Sequence, residues 1–203
     1  ALPGEILAES AGALWTLSLS GGGSKPFTSL NVALGGMGAR PTLDGLSTTA
    51  FPSGVGAVPV EAAEAEAPLI YHVKEFAPDT GGAGTFRGGL GQRIEISARH
   101  HQDLSLSAAA FERLTIGPAG RQGGHAGATG TVSISNGTKI IDKGMYEIPA
   151  GDRLVLQTPG GGGIGNPAER DRDAVAQDLS DGLISQESAK KLYKFETKGR
   201  YKK

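Results

Sequence analysis

Residues 153–171 read RLVLQTPGGGGIGNPAERD: a short alternating apolar run, four consecutive glycines, then a helix-starting sequence. Two folds could follow from it. Gly160, Gly162 and Gly165 fit G-x-G-x-x-G between a strand and a helix, the setting in which a dinucleotide pyrophosphate rests on a helix N-terminus in a parallel βαβ unit. That fold needs a strand after the helix and an acidic residue at its end to hold a ribose, and residues 172–203 offer neither. Four glycines in a row satisfy almost any glycine pattern. The stretch therefore reads as the last strand of a β-rich body, then a turn that packs a closing helix back onto it.

The helical period begins after the glycines. Asn166 can cap, Pro167 suits the first helical position, Glu169 and Asp171 favour the first turn, and Val175 pairs with Leu179 at i and i+4. Gly182 ends this helix; Ser185 caps a second whose inner face is Ala189, Leu192 and Tyr193. Upstream, alternation predicts strands at 14–20, 68–76, 92–99, 103–111 and 153–158. Asn136-Gly137, between the alternating runs of TVSISNGTKIID, predicts a hairpin with a two-residue I′ turn. The fold class is α+β, with residues 1–165 as a β-rich body with long Gly-rich loops, 166–193 as a short carboxyl-terminal helical pair and 194–203 as a basic tail.

Glycine is the compositional anomaly, 33 of 203 residues, about 16% against a usual 7%. It has no period of three, so collagen is excluded, and a net charge of -1 with persistent apolar runs disfavours disorder. Leu, Ile, Val and Phe number 44, about 22%, little above the 20% below which chains tend not to fold alone. Such a thin core is completed either by another segment or subunit, or by small residues packed closely. Absence of cysteine removes disulfides and thiolate chemistry and suits a reducing compartment. No apolar run approaches a membrane span, and ALPGEILAES lacks the basic region of a signal peptide, so no membrane association and a cytoplasmic setting are expected. Residues 190–203 carry seven Lys or Arg and one Glu. Without a stacking platform this end reads as solvated, or as a dock for an acidic partner, rather than a nucleic-acid arm.

Loop 35–61, GGMGARPTLDGLSTTAFPSGVGAVPVE, is the longest stretch with neither period. A linker would be dense in charge. This one keeps Phe51, Val55, Val58 and Val60 among prolines that restrict φ, which predicts one ordered conformation. Bare amides, the hydroxyls of Ser47, Thr48, Thr49 and Ser53, and a few isolated charges suit a small polar ligand; an interface loop is the structural alternative. Other chemistries lack anchors. His101 and Asp103 share a strand face while His100 points away, too few ligands for a closed metal site, so none is assigned to this chain. There is no Gly-Lys of a P-loop and no G-x-S-x-G.

Taken in order, ALWTLSLSG, GGMGARPTLDGLSTTAFPSG with PVE, APDTGGAGTFRGGLGQR and TPGGGGIGNPAERDRDAVAQDLSDGLISQESA resemble the carboxyl-terminal part of B-type subunits of the hydantoinase B/5-oxoprolinase family. Members run to several hundred residues, so the resemblance implies that this chain corresponds to their last third. It implies ATP-dependent hydrolysis of cyclic amides (hydantoin, 5-oxoproline, lactam), in which an A-type ATPase-like subunit binds ATP and Mg and phosphorylates the substrate oxygen. It also implies that any divalent metal is bound outside this chain, and that this chain, partnered by the A-type subunit and the amino-terminal B-type portion, is inactive alone. Ketone carboxylation of the acetone or acetophenone type is the family alternative; a non-catalytic assembly module is the alternative from another class.

By motif position the candidate residues are Arg40 for an oxyanion or phosphate, Asp44 and Glu61 for polar contacts or proton transfer, and Ser47 and Ser53 as hydrogen-bond donors. Each has a structural alternative, a turn at Asp44-Gly45 and a solvated Glu61 among them. Arg87 is a further anion contact or an ion-pair partner. The chain departs from the family at Leu114, Thr115 and Ile116, where a Pro-Trp element is common, which leaves the substrate open.

Overall fold

The computed structural model describes residues 3–23 and 25–196; most of the expected basic tail, 197–203, lies outside the described residues. Eight strands form two antiparallel four-stranded sheets. They are β1 (Trp15–Gly21), β2 (Phe27–Ala33), β3 (Leu69–Phe76), β4 (Gln92–Ala98), β5 (Leu104–Ala108), β6 (Thr131–Ile134), β7 (Gly144–Ile148) and β8 (Leu154–Gln157). One sheet is ordered β2-β1-β5-β7, the other β3-β4-β8-β6. Alternation is what closes them on one another. Trp15, Leu17, Leu19, Leu104 and Leu106 from the first sheet and Ile94, Ile96, Leu154 and Leu156 from the second form one buried cluster. Trp15 packs its ring 5.0 Å from that of Phe111, and its Nε1 donates to the Glu112 carbonyl at 3.2 Å. No helix among the described residues is long and apolar enough to cross a membrane.

Three elements depart from expectation, each for a local reason. Strand β2 escapes the apolar period because its inward positions are polar. Ser29 and Asn31 are buried and joined by a 2.8 Å bond from Asn31 Nδ2 to Ser29 Oγ, while Leu30 faces outward, 68% exposed. The 131–142 hairpin forms only in part, because Gly137 alone takes a positive φ (97°) and Asn136 does not, so the turn is not type I′. Residues beyond it make a single bridge, Ser133 to Lys139, before the chain crosses to the other sheet as β7 against β5. Helix α1 (Val60–Glu66) overlaps the end of loop 35–61 and continues beyond it, resting one buried residue, Ala63, on the body.

The closing helices match their sequence signals, with one division. Asn166 caps a short 3₁₀ turn, Pro167–Glu169, and Asp171 then caps α2 (Arg172–Ser180) by accepting from the amides of Asp173 and Ala174. Gly182 at φ 71° ends it, and Ser185 caps α3 (Gln186–Lys191). Val175, Ile184, Ala189 and Tyr193 fasten the pair to Ala83 in the loop before β4.

Between the sheets and the helices the glycine clusters meet as a layer of backbone packed on backbone. Gly161 donates to the Gly89 carbonyl at 2.9 Å and accepts from Gly82 at 2.8 Å; Gly89 donates to Met37 at 2.8 Å, and Ala39 to Gly162 at 2.8 Å. Loops that are remote in sequence thus satisfy each other's amides as strands do. A Cβ on Gly161 would stand 2.0 Å from the Met37 oxygen, and one on Gly88 2.0 Å from the Gly161 oxygen. Neither has a left-handed φ, so space alone demands glycine there. Small-residue packing therefore contributes much of what the larger apolar residues do not.

Gly161→Ala is expected to lower stability by at least about 1–3 kcal/mol, the usual cost of overpacking. Gly56→Ala, where a Cβ meets nothing within 4 Å, should stay within about 0.5 kcal/mol of the parent in the same urea titration.

Candidate functional site

The first half of loop 35–61 is laid into the glycine layer. Its amides and carbonyls are paired at Gly36, Met37, Ala39, Gly45, Thr48 and Thr49, so the ordered conformation expected from its prolines is the one adopted. At its centre Asp44 meets Arg170, which the capping sequence after the last glycine delivers. Arg170 donates from Nη1 and Nη2 to the two Asp44 oxygens, both at 2.7 Å, and from Nη2 to Asp178 Oδ2 at 2.8 Å. Arg87 donates from Nε and Nη2 to Asp178 at 3.2 and 3.3 Å, and its amide donates to Asp44 Oδ1 at 2.7 Å. Two guanidinium groups and two carboxylates thus balance, and fork-to-fork geometry is the strongest form such pairs take.

Burial pushes the Asp44 carboxyl up, but the Arg170 hydrogen bonds and charge, helped by the Arg87 amide, outweigh it and hold the group below its ordinary 3.8. The Arg170 guanidinium, opposed by burial, is raised above its ordinary range by Asp44 and Asp178. Tyr193, almost fully buried beside this network, has its hydroxyl pushed up to about 12, chiefly by burial. Its Oη and Arg170 Nε have no hydrogen-bond partner among the described residues.

Of the remaining candidates, the structure keeps Arg40 against Asp44 and disperses the others. Arg40 donates from Nε to the Asp44 carbonyl at 2.9 Å and bridges to Leu43, closing a tight turn around the acidic residue. Ser47 Oγ accepts from the Leu90 amide at 3.0 Å and so ties the loop to the start of β4. Ser53 lies exposed at the loop tip. Glu61 stands exposed in the first turn of α1, and no hydrogen bond or ion pair joins it to Asp44. His72 bonds Ser97, His100 and His101 are exposed, and Asp103 accepts from the Ala150 amide; no cluster of three or more potential metal ligands occurs among the described residues.

The second half of the loop turns its apolar residues to solvent: Phe51, Val55 and Val58 are exposed, as is Phe76 at the end of β3. A groove of about 470 Å³ opens between this segment and the β3–β4 ends, lined by Thr48, Ala57, Lys74, Glu75, Phe76 and Gln92. Lys74 Nζ donates to the Val58 carbonyl at 3.0 Å, and burial draws its ammonium below the ordinary lysine range, with Glu61 pulling the other way. Donors, an acceptor and an apolar wall around a small volume are what a compact polar ligand requires.

Two antiparallel four-stranded sheets and a layer of loops packed backbone on backbone make up the β body. The chain belongs to the hydantoinase B/oxoprolinase family, whose model matches residues 1–167. It is similar to the caprolactamase subunit beta of Pseudomonas jessenii, 29% identical over 178 residues, 79% of this chain and 29% of that one. It is also similar to the acetophenone carboxylase delta subunit of Aromatoleum aromaticum, 30% identical over 195 residues, 78% of this chain and 28% of that one. Among solved structures, the ATP-dependent caprolactamase from Pseudomonas jessenii superposes with a TM-score of 0.85 at 21% identity, over all of this chain and 37% of that one. This chain therefore spans less than a third of these two relatives' length.

Sequence reasoning singled out Asp44 and Arg87 but not their common partners. Arg170 and Asp178 sit eight apart on either side of a helix start, where charges ordinarily face water, and nothing local marks them as buried. Gln92 and Lys74 likewise carry no signal in the sequence beyond their places in β4 and β3.

Arg170→Met should cost about 3–5 kcal/mol, because it leaves the buried Asp178 and the half-buried Asp44 with Arg87 alone. Since the Asp44 pKa is depressed on folding, its stabilisation is complete above 3.8 and is lost as the pH falls through the lower folded value. Thermal midpoints of the parent should thus exceed those of Asp44→Asn at neutral pH and converge with them below 3.8.

Proposed function

We propose that this chain acts as the carboxyl-terminal part of the B-type subunit of an ATP-dependent cyclic-amide hydrolase complex, with loop 35–61 forming one wall of the substrate site. The observation that carries the reading is the hydantoinase B/oxoprolinase match over residues 1–167, a stretch that includes both the loop and the glycine layer holding it. ATP and Mg are assigned to an A-type partner, and activation of the amide oxygen takes place there. The chain's own residues then bind and orient. Arg40, at the loop surface, is assigned contact with the anionic oxygen; Ser53 and Glu61 supply polar contacts from the tip and from α1. Asp44, with both oxygens taken by Arg170, positions the loop, and Ser47 anchors it to Leu90. A cytoplasmic setting fits the cysteine-free composition.

The 30% identity to an acetophenone carboxylase subunit favours one rival, a ketone carboxylase. The two part in a single assay. Assembled with an A-type partner and an amino-terminal B-type portion, the chain should support ATP hydrolysis that rises at least tenfold with ε-caprolactam, 5-oxoproline or hydantoin and not with acetophenone plus bicarbonate. Arg40→Ala should then lower kcat/KM about ten- to a hundredfold, with the melting temperature lowered by no more than loss of its single bond to the Asp44 carbonyl accounts for. Ketone-dependent turnover would establish the rival, and full activity of both Arg40→Ala and Asp44→Ala would reduce the chain to an assembly module.

A further inference from the structure

Gln92 is 6% exposed, and its Oε1 has no hydrogen-bond partner among the described residues. A buried acceptor left unpaired is costly, and such groups are rare in native proteins. The backbone around it cannot shift to relieve this. The Gln92 amide donates to Thr158 Oγ1 at 2.7 Å, its carbonyl accepts from the Thr158 amide at 2.8 Å, and Thr158 is fully buried. In the β3–β4 register Gln92 stands opposite Phe76, so the two side chains share a face, and both line the groove beneath segment 48–57.

We propose that this groove binds the amide edge of a small ring and that Gln92 is its recognition residue, an inference that rests on the cyclic-amide reading above. A ring amide is locked cis and presents N–H and C=O along one edge. A carboxamide offers the same pair, so the two form reciprocal hydrogen bonds: Oε1 accepts the ring N–H while Nε2 donates to the ring carbonyl. Phe76, half exposed, gives the ring methylenes a flat apolar wall. The Lys74 ammonium at the edge of the groove suits a negatively charged ring substituent. A cyclic ketone has no N–H for Oε1 and leaves it unpaired, which is the condition for strong discrimination.

Entry requires the covering segment to yield, since Gln92 lines the groove but its Oε1 is shut off from solvent. Residues 50–58 make local backbone bonds, and among the described residues their polar tie to the sheet is the Lys74 to Val58 bond. At the base of the segment Thr48 holds φ 45°, uncommon for a β-branched residue.

The test is a titration of the ¹³C,¹⁵N-labelled chain with δ-valerolactam and, in parallel, cyclopentanone, following the Gln92 side-chain amide and the Phe76 ring. The lactam should shift that amide and the Phe76 ring, while the ketone leaves both in place. Gln92→Leu should weaken lactam binding at least tenfold and keep or raise the melting temperature; Gln92→Met, of similar length with neither the amide donor nor its acceptor, should weaken it as much. In the assembled complex Gln92→Leu should raise the lactam KM at least tenfold with kcat little changed. An unshifted Gln92 amide, equal shifts by lactam and ketone, or equal binding by both variants would overturn the assignment. Lactam-dependent ATP turnover alongside any of these would place amide recognition elsewhere and leave the functional reading standing; loss of that turnover would sink the functional reading itself.

Discussion

Backbone packed directly against backbone is the constraint on which this structure depends. Where Met37, Gly88, Gly89 and Gly161 meet, the separation between backbone segments leaves no room for a Cβ on the glycines, and the amides of three distant loops are paired with one another. Such a layer has the hydrogen-bond economy of a sheet without its side chains. It therefore adds little apolar area and stabilises by satisfying buried amides and by close dispersion contact. The thin complement of large apolar residues is then sufficient, because those residues are concentrated between the sheets.

The ion network follows from this layer. With few side chains inside the layer, loops meet the helical pair through their few long polar residues, and Asp44, Arg87, Arg170 and Asp178 occupy that boundary together. A balanced set of buried charges is costly to desolvate and gains its advantage in geometry, since the bidentate pairing accepts one arrangement of loop and helix. The result is a loop whose first half is held rigidly while its second half presents Phe51, Val55 and Val58 outward over a groove. A rigid base under an exposed tip is how a scaffold carries function on loops.

The sequence and the structure agree most closely where physics is local. Strands with alternating large apolar residues, such as β1 and β4, and caps such as Asn166 and Ser185 announce themselves through neighbours within a few positions. Strand β2 does not, because Ser29 and Asn31 hide on its inner face by bonding each other. The candidate site was legible to the same degree. Loop 35–61 is marked by its composition and Asp44 by its motif, but Arg170 lies 126 residues away from Asp44, and no spacing rule connects them.

By itself, then, the sequence determined a β-rich body, a helical closure after residue 165 and the family to which the chain is similar, because period, capping and motif are properties of short stretches. Tertiary structure alone decided which glycines touch, that Asp44 is clamped by Arg170 rather than left open, and that Gln92 is buried beside Phe76 with its acceptor unpaired. The physical reason is common to all three: burial and pairing depend on what other segments bring to a point in space, and that becomes defined only when the whole layer has assembled.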